Sequence, residues 1–253
     1  MMPSQVSFGY PWWITYGHLV IVAVALALWF IGRSRKWSKV PMLLVGAIFI
    51  WSIAAFLVAR FAINVNGRLS LPSQAFLATG VGRVLDMGAG TGRSTLMVLE
   101  SRPQAKVVAL DLFTESYEEH FGSAGNGKER LASNLRVAGV DDRASIQAGD
   151  MRRLPFDPGW FDGVVSTYAI DHLNREGIAL SVREASRVLK PGGQFLMMVV
   201  SKDSWLNFAF GPLLFHSGTR SQEWWTSRLQ EAGFQMIEQG TRPATLYFLA
   251  QKQ

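Results

Sequence analysis

An acidic residue, a run of alternating glycines and a second acidic residue have the types and spacing of a loop that binds a small molecule. The first part of this pattern reads Asp86, Gly88, Gly90 and Gly92. Glycine adopts positive φ without strain and has no side chain, so such a loop brings a ligand close to the backbone. About twenty residues further on, an apolar run ends at Asp111, where a Rossmann-type fold holds the hydroxyls of a ribose. The pattern predicts a strand, a glycine turn and a helix that together bind a nucleoside.

The glycine spacing separates two kinds of nucleoside-binding loop. Dinucleotide-binding folds use GxGxxG, whereas this chain has the shorter Asp-x-Gly-x-Gly-x-Gly. This run resembles motif I of the class I S-adenosylmethionine-dependent methyltransferases, in particular the methyltransferase type 11-like domain. Gly149-Asp150-Met151 and the turn at 189–193 resemble later motifs of that family, in the expected order. The alternative is an ordinary glycine-rich turn in another α/β protein.

Strand-like and helix-like patterns alternate from residue 83 onward, which favours a parallel sheet with helices on both faces. Together with the resemblance, this predicts an α/β fold: a Rossmann-like, seven-stranded methyltransferase sheet preceded by a two-helix transmembrane hairpin. The predicted strands cover residues 83–87, 106–111, 144–148, 161–167, 193–200, 234–240 and 245–251. The predicted helices of this part cover residues 93–101, 128–138, 175–189 and 221–232.

The resemblance implies S-adenosylmethionine as the cofactor and a set of residues that hold it. These are Asp86, Gly88, Ala89, Gly90, Gly92, Asp111, Leu112, Asp150, Met151 and Ser166. By the same resemblance, Asp86 lies near the methionine ammonium and helps to hold the loop. Asp111 accepts from both ribose hydroxyls, and Leu112 packs against the adenine. Asp150 receives the adenine amino group, and Met151 packs beside the ring. The alternatives are a helix-capping role for Asp111 and an Asx-turn at Asp150.

Methyl transfer from a sulfonium is an in-line displacement, so positioning supplies much of the acceleration. A general base is needed only where the acceptor starts protonated. The predicted catalytic residues are Tyr168, Asp171 and His172, which follow the fourth strand at the carboxyl edge of the sheet, where ligands of α/β proteins bind. The alternatives are a packing role for His172 and an N-cap-like role for Asp171. No metal site is predicted, and the absence of cysteine excludes disulfides and thiolate ligands.

Three stretches bear on the acceptor and on the cofactor. The fourth strand ends in Ser-Thr-Tyr-Ala at 166–169, not in the Asn/Asp-Pro-Pro-aromatic motif of family members that methylate amino groups of nucleobases or glutamine. The apolar, aromatic segment 205–216 falls where the family varies its substrate cover. It is either a buried helix or an apolar lid that faces a bilayer and admits a lipophilic acceptor. The glycine-containing insertion 117–127 is predicted to be a mobile loop near the ribose.

The net charge of +6 is unevenly distributed along the chain. Residues 1–85 hold seven Lys or Arg and no Asp or Glu, and the remainder holds 18 basic against 19 acidic residues. The catalytic part is therefore near neutral, which argues against nucleic acid as a partner. The basic excess flanks two apolar runs, which favours anionic lipid head groups instead.

These uncharged apolar runs, at about residues 12–32 and 40–59, are each long enough to cross a bilayer as a helix. They predict a membrane-anchoring hairpin over residues 1–60. The alternatives are two buried helices of a soluble protein and a cleaved signal peptide, which would have a basic n-region that this chain lacks. A linker over 61–82, with a short helix near 73–78, and a methyltransferase domain over 83–253 complete the predicted organisation.

Two finer expectations concern the hairpin. Small residues four apart, at Ala23/Ala27 and Ala55/Ala59, predict the faces on which its helices pack together. His18, the titratable group of the first run, is predicted to be a satisfied interfacial histidine.

The basic turn at 33–39 creates a conflict of orientation. The positive-inside rule places that turn in the cytoplasm, and a hairpin would then leave the domain outside, where the cofactor is not expected. We expect the catalytic domain to face the cytoplasm at a membrane of the bacterial inner-membrane type. The turn then crosses against the rule, or the hairpin dips into the bilayer without crossing it.

Together these features predict a membrane-anchored methyltransferase that acts on a lipophilic or membrane-associated acceptor. A lipid amine, a quinone-like phenol and a hydrophobic thiol all fit. The alternatives are a methyltransferase for protein or peptide substrates and a non-catalytic scaffold that binds the cofactor. The sequence sets no oligomeric state.

Overall fold

The computed structural model describes residues 5–113, 127–211 and 219–253, and these form two compact units. The sheet unit comprises the described residues of 1–9, 68–201 and 216–253. The hairpin unit comprises the described residues of 10–67 and 202–215. All but the last residue of the predicted insertion 117–127, and the end of the apolar segment 205–216, lie outside the described residues.

The described residues contain seven α-helices. They are α1 Trp12–Ser34, α2 Lys39–Leu57, α3 Arg93–Ser101, α4 Gly127–Ala138, α5 Arg175–Val188, α6 Ser204–Phe210 and α7 Gln222–Glu231. The four predicted helices of the sheet unit correspond to α3, α4, α5 and α7, with ends that agree to within one residue. Helix α4 is followed directly by Gly139, which has φ of 67° and donates its N–H to the Arg136 carbonyl at 3.0 Å.

Seven strands form one sheet in the sheet unit. They are β1 Val81–Met87, β2 Gln104–Asp111, β3 Ala144–Ala148, β4 Phe161–Thr167, β5 Leu189–Val200, β6 Phe234–Arg242 and β7 Thr245–Lys252. Their order is β3-β2-β1-β4-β5-β7-β6, with β1 to β5 parallel and β7 antiparallel to both neighbours. The predicted Rossmann-like arrangement is confirmed. The strand order reverses between β1 and β4, which is where α/β sheets bind ligands.

The start of β5 differs from the prediction. Leu189 pairs with Phe161, and the register then shifts so that Gln194 pairs with Gly163. The residues 190–193 therefore form a bulge inside the strand rather than a turn before it, with Gly192 at φ of 75°.

The chain before β1 is held by an arginine instead of by a helix. The short helix predicted near 73–78 is replaced by a series of turns at 74–79. Arg102 donates from Nε to the Phe76 carbonyl at 2.8 Å and from Nη2 to the Gln74 carbonyl at 2.9 Å. Because the guanidinium satisfies these carbonyls, they need no helical partner.

The hairpin unit contains two helices that are long and apolar enough to cross a membrane, Trp12–Ser34 and Lys39–Ile63. The second consists of α2 and a π-helical continuation, Val58–Ile63. Many of their large apolar side chains are exposed, among them Phe30, Leu43 and Ile50.

The buried face of the hairpin repeats every seven residues. Its members include His18, Ala25 and Gly32 on α1, and Val45, Ser52 and Ala59 on the second helix. Ala55 and Ala59 are buried, as predicted, but Ala23 and Ala27 are exposed, so that prediction was wrong for α1. The seven-residue repeat places Ala25 on the buried face where the two helices meet, as in left-handed helix pairs.

Candidate cofactor and active site

The loop after β1 is shaped by glycines that no other residue can replace without strain. The Gly88 N–H donates to the Leu110 carbonyl at 2.8 Å. Gly88 has φ of 79°, and a Cβ there would lie 2.4 Å from the Cβ of Ala169. Gly92 has φ of 92°, and a Cβ there would lie 2.4 Å from Leu131 Cδ1. Both the backbone angle and the space therefore require glycine at these two positions.

Asp86 ties this loop to the start of α3. Its oxygens accept from Ser94 Oγ at 2.8 and 2.7 Å, and Oδ2 also accepts from Thr95 Oγ1 at 2.6 Å. Burial raises the pKa of Asp86 to about 6, although the two hydroxyls act in the opposite direction. The side chain is fully buried, so it presents no surface to a ligand. The geometry therefore supports the predicted role of Asp86 in holding the loop, and not a direct contact with the methionine ammonium.

Asp111, the last residue of β2, faces the glycine loop. Its Oδ2 accepts from the Gly90 N–H at 2.9 Å, and its Oδ1 accepts from the Phe113 N–H at 3.1 Å in an Asx-type turn. Ala89 is tied to the same end of β2 through its own N–H. Because each carboxylate oxygen has a second lone pair, Asp111 can hold the loop and accept from a vicinal diol at once. Leu112 is 50% exposed beside it, an apolar surface that a purine ring would cover.

Asp150, after β3, forms an ion pair with Arg152. The closest distance, from Arg152 Nη2 to Asp150 Oδ2, is 2.6 Å, and the Arg152 N–H donates to Oδ1 at 2.8 Å. The hydrogen bonds from Arg152 lower the pKa of Asp150. This is the Asx-turn alternative, so an adenine amino group would share the carboxylate with Arg152. Met151 lines the loop, since its Cε lies 2.8 Å from the position of a Cβ on Gly88.

Ser166 lies within β4 and holds the neighbouring strand. Its side chain is fully buried, and the hydroxyl donates to the Met87 carbonyl at 2.8 Å. The predicted cofactor contact of Ser166 is therefore corrected to a positioning role at the end of β1.

Tyr168 occupies a strained backbone position directly after β4. Its φ is 52°, which is unusual for a bulky residue and persists only where the surroundings fix it. Its N–H donates to the Met198 carbonyl at 2.9 Å, and its hydroxyl lies 2.7 Å from Thr245 Oγ1. The ring is thus set by β5 and β7.

Asp171 and His172 have different environments. Asp171 Oδ2 accepts from the Val200 N–H at 3.0 Å, whereas no group in the described ranges donates to its buried Oδ1. The N-cap of α5 is Asn174, which accepts from the Gly177 N–H, so Asp171 is not the cap. It joins the β4–α5 turn to β5 instead. The side chain of His172 is exposed at the same edge of the sheet.

The described N-terminal residues 5–9, here called the strap, lie on the glycine loop. Asn134 of α4 accepts from the Ser7 N–H and donates to the Ser7 carbonyl, both at 2.9 Å, and also donates to the Thr91 carbonyl at 2.8 Å. The Thr91 hydroxyl donates to the Phe8 carbonyl at 3.0 Å. Sequence reasoning missed the strap because its partners lie 83 and 127 positions away.

Arg93 was also missed, although it directly follows the third glycine. Its guanidinium carbon lies 6.0 Å from the centre of the Phe8 ring and 5.8 Å from that of the Tyr168 ring. A cation over two aromatic faces is attracted to both. Arg93 therefore links the strap, the glycine loop and the end of β4.

These groups match the chemistry of S-adenosylmethionine. The Asp111 carboxylate suits a ribose diol, exposed Leu112 suits an adenine face, and the glycine backbone at 88–92 suits close approach of the methionine part. Among the described residues, no three His, Cys, Asp or Glu are grouped so that they could hold a metal ion.

Comparisons with known proteins agree with this geometry. Residues 84–193 match the family model of a methyltransferase domain. Residues 84–193 form a methyltransferase domain of the class I, S-adenosylmethionine-dependent type. Over 120 residues it is 32% identical to a demethylmenaquinone methyltransferase from Symbiobacterium thermophilum, spanning 47% of this chain and 43% of that protein. Over 142 residues it is 28% identical to the ubiquinone/menaquinone biosynthesis C-methyltransferase UbiE from Syntrophotalea carbinolica, spanning 56% and 53%.

The methyltransferase domain has the fold of solved relatives. A SAM-dependent methyltransferase from Methanosarcina mazei superposes with a TM-score of 0.55 at 16% identity, covering 73% of this chain and 99% of that one. At this identity the likeness concerns the fold alone. The match to a methyltransferase domain supports the predicted cofactor, S-adenosylmethionine. The chain spans about half the length of the curated relatives it matches.

Proposed function

We propose that the protein transfers a methyl group from S-adenosylmethionine to a lipophilic acceptor at a membrane, and that this acceptor is a ring of the quinone class. The observation that carries the proposal is the exposed apolar surface of the hairpin unit, to which Phe30, Leu43 and Ile50 contribute. A large exposed apolar surface marks a membrane or partner contact. Two buried helices of a soluble protein would not leave these side chains outside.

The names of the relatives support the acceptor class. One is a demethylmenaquinone methyltransferase, and the other belongs to ubiquinone and menaquinone biosynthesis. An acceptor of this kind is apolar and partitions into a bilayer. A methyltransferase domain attached to an apolar hairpin is suited to reach it.

The reaction makes two demands on the chain. When bound, S-adenosylmethionine would supply an electrophilic methyl group on a sulfonium, with a neutral thioether as the leaving group. For each methyl transferred, the acceptor loses one proton, which needs a base where the acceptor starts protonated. His172 is the proposed proton acceptor because its side chain is exposed at the carboxyl edge of β4. Asp111 and the glycine loop hold the donor, and Asp171 and Tyr168 fix the turn that carries His172.

The methyltransferase domain is proposed to face the cytoplasm. The strap precedes α1 and β1 follows the hairpin in the chain, and residues at both places belong to the sheet unit. If the hairpin crosses a bilayer, the turn at 35–38 lies on the opposite side from both. Reporter fusions at this turn and at the C-terminus test the orientation, and a C-terminus found outside would contradict it.

The direct test is methyl transfer by the full chain in lipid vesicles. Labelled S-adenosylmethionine is supplied with a lipid extract or with a short-tailed and a long-tailed demethylated quinol. We expect label in the quinol fraction, with a lower KM for the long-tailed quinol. Label appearing only in protein bands would favour a protein or peptide substrate instead. A chain that binds the cofactor but labels no acceptor would favour a non-catalytic scaffold.

A further inference from the structure

Helix α6 lies between two elements of the sheet unit in sequence but packs with the hairpin. Three residues separate it from the end of β5, and it groups with residues 10–67. Its first turn is capped by Asp203, whose side chain accepts from the Leu206 N–H at 2.9 Å, and Lys202 is exposed just before it. From Ser204 to Phe210 the helix carries no charge, and three of its seven residues are aromatic. It therefore has a charged beginning and an uncharged, mainly apolar body in which Asn207 is the polar residue.

The last turn of α6 is bonded to polar side chains of the two apolar helices. Trp51 Nε1 donates to the Phe208 carbonyl at 3.1 Å. His18 Nε2 lies 2.6 Å from the Ala209 carbonyl, which makes it the donor, and His18 is buried. The last carbonyls of a helix have no partner within it, and an unpaired polar group is costly in apolar surroundings. Each hydrogen bond therefore satisfies a carbonyl at the end of α6 and a polar side chain of a hairpin helix.

The opposite face of α6 is exposed and carries two aromatic side chains, with the polar Ser204 and Asn207 beside them. Ala209 is fully buried, whereas Trp205 and Phe208 remain 45% and 43% exposed. Residues three apart lie on one face of a helix, so these two aromatic side chains form one outward surface. This surface belongs to the same unit as the exposed apolar side chains of α1 and α2.

We propose that α6 is a third membrane-contacting element, which lies in the interface of the bilayer with Trp205 and Phe208 among the lipids, and that His18 and Trp51 hold it there. The inference rests on the proposed membrane function of the hairpin. The partner is the lipid bilayer itself, because the surface is aromatic and uncharged, has a charged start, and continues an apolar unit. A helix that buries one apolar face at the boundary between head groups and acyl chains lies in the plane of the membrane rather than across it.

The test uses the absence of cysteine from the chain. Phe208→Cys, Lys202→Cys and Val24→Cys each introduce one site for a nitroxide label in the full chain. The labelled protein is placed in vesicles of phosphatidylcholine and phosphatidylglycerol. Spin relaxation then compares the access of oxygen, which concentrates in lipid, with that of a water-soluble nickel complex.

We expect the labels at positions 208 and 24 to favour oxygen and the label at 202 to favour nickel. If position 24 favours oxygen but position 208 favours nickel, the inference about α6 is overturned and the membrane hairpin stands. If position 24 also favours nickel, the proposed membrane function itself fails.

The proposed roles of His18 and Trp51 are tested in the Phe208→Cys background. His18→Phe and Trp51→Phe keep a ring but remove the donor, so the freed carbonyls should draw the end of α6 toward water and raise nickel access about twofold or more. His18→Gln retains an N–H donor and should keep the original depth. Unchanged nickel access in both phenylalanine variants would overturn the role of His18 and Trp51.

Discussion

The Oδ2 atom of Asp111 accepts the Gly90 N–H at 2.9 Å, so a carboxylate at the end of β2 fixes the loop that follows β1. The two residues are 21 positions apart and meet because β1 and β2 pair in parallel, with Met87 opposite Leu110. One side chain thus sets the loop and, in the proposed site, keeps lone pairs for a ribose. The proposed donor site is therefore partly formed before any ligand binds, and such preorganisation reduces the entropic cost of binding.

Replacement of Gly88 by alanine should damage both folding and donor binding. The new Cβ would lie 2.4 Å from that of Ala169 at a φ of 79°, and such strain costs about 1–3 kcal/mol. Thermal unfolding and calorimetry with S-adenosylmethionine measure the two effects. Gly233→Ala is the matched control, because it has φ of 84° but open space around the Cβ. Equal donor affinity in the two variants would contradict the crowding at Gly88.

Asp86→Asn should change the pH dependence of stability. The folded-state pKa of about 6 lies above the ordinary aspartate pKa of 3.8, so the native state binds more protons than the unfolded state between these two pH values. Stability from this group is therefore fully present below about pH 4 and is lost as pH rises through about 6, by up to about 3 kcal/mol. The measurement is the difference in unfolding free energy between native protein and variant. That difference should change across this window, and a constant value would refute the assignment.

Removal of the hydroxyl from Thr91 should loosen the strap. Thr91→Val keeps the shape but loses the bond to the Phe8 carbonyl, at a cost of about 0.5–1.5 kcal/mol. Proteolysis near the N-terminus should become faster, and donor affinity should fall because the strap covers the loop. Thr91→Ser, which keeps the hydroxyl, should behave like the native protein. The strap has no such role if the valine and serine variants are cleaved equally fast.

His172→Asn should remove the base from the proposed reaction. Loss of a general base lowers kcat by about 10²–10⁴-fold, with little change in donor affinity. Steady-state kinetics measures kcat. Asp171→Asn is the control, since its amide oxygen can still accept from the Val200 N–H and kcat should fall far less. A kcat that falls in Asp171→Asn but not in His172→Asn would move the base to Asp171.

The fold was predictable where the signals are local. Apolar runs and glycine punctuation located all seven strands. The signal is clearest in β5, because a parallel strand covered on both faces must be apolar along its buried length. The errors occurred where the local structure depends on residues that are distant in the sequence. The start of β5 depends on the pairing of Leu189 with Phe161, and the turns at 74–79 depend on Arg102.

The site was predicted less completely. Motif spacing located Asp111 and the glycines. It could not reveal that the Ser166 hydroxyl bonds to the Met87 carbonyl, or that Arg152 is already paired with the Asp150 carboxylate. The strap could not be predicted from the sequence either, because Asn134 bonds to backbone atoms of Ser7, which any residue type would present. In the hairpin, small residues four apart identified the buried face of the second helix correctly. They failed on α1, where the buried face follows a seven-residue repeat.

The central claim is that the carboxylate of Asp111 holds both the glycine loop and the ribose of S-adenosylmethionine. Calorimetry on native protein, Asp111→Asn and Asp111→Ala tests it, with a folded state checked by circular dichroism. Each lost hydrogen bond to a charged acceptor is worth about 1.5–3 kcal/mol, so the alanine variant should bind the donor at least about tenfold more weakly, and the asparagine variant should fall between. An alanine variant that is folded and binds the donor as tightly as the native protein would contradict the account.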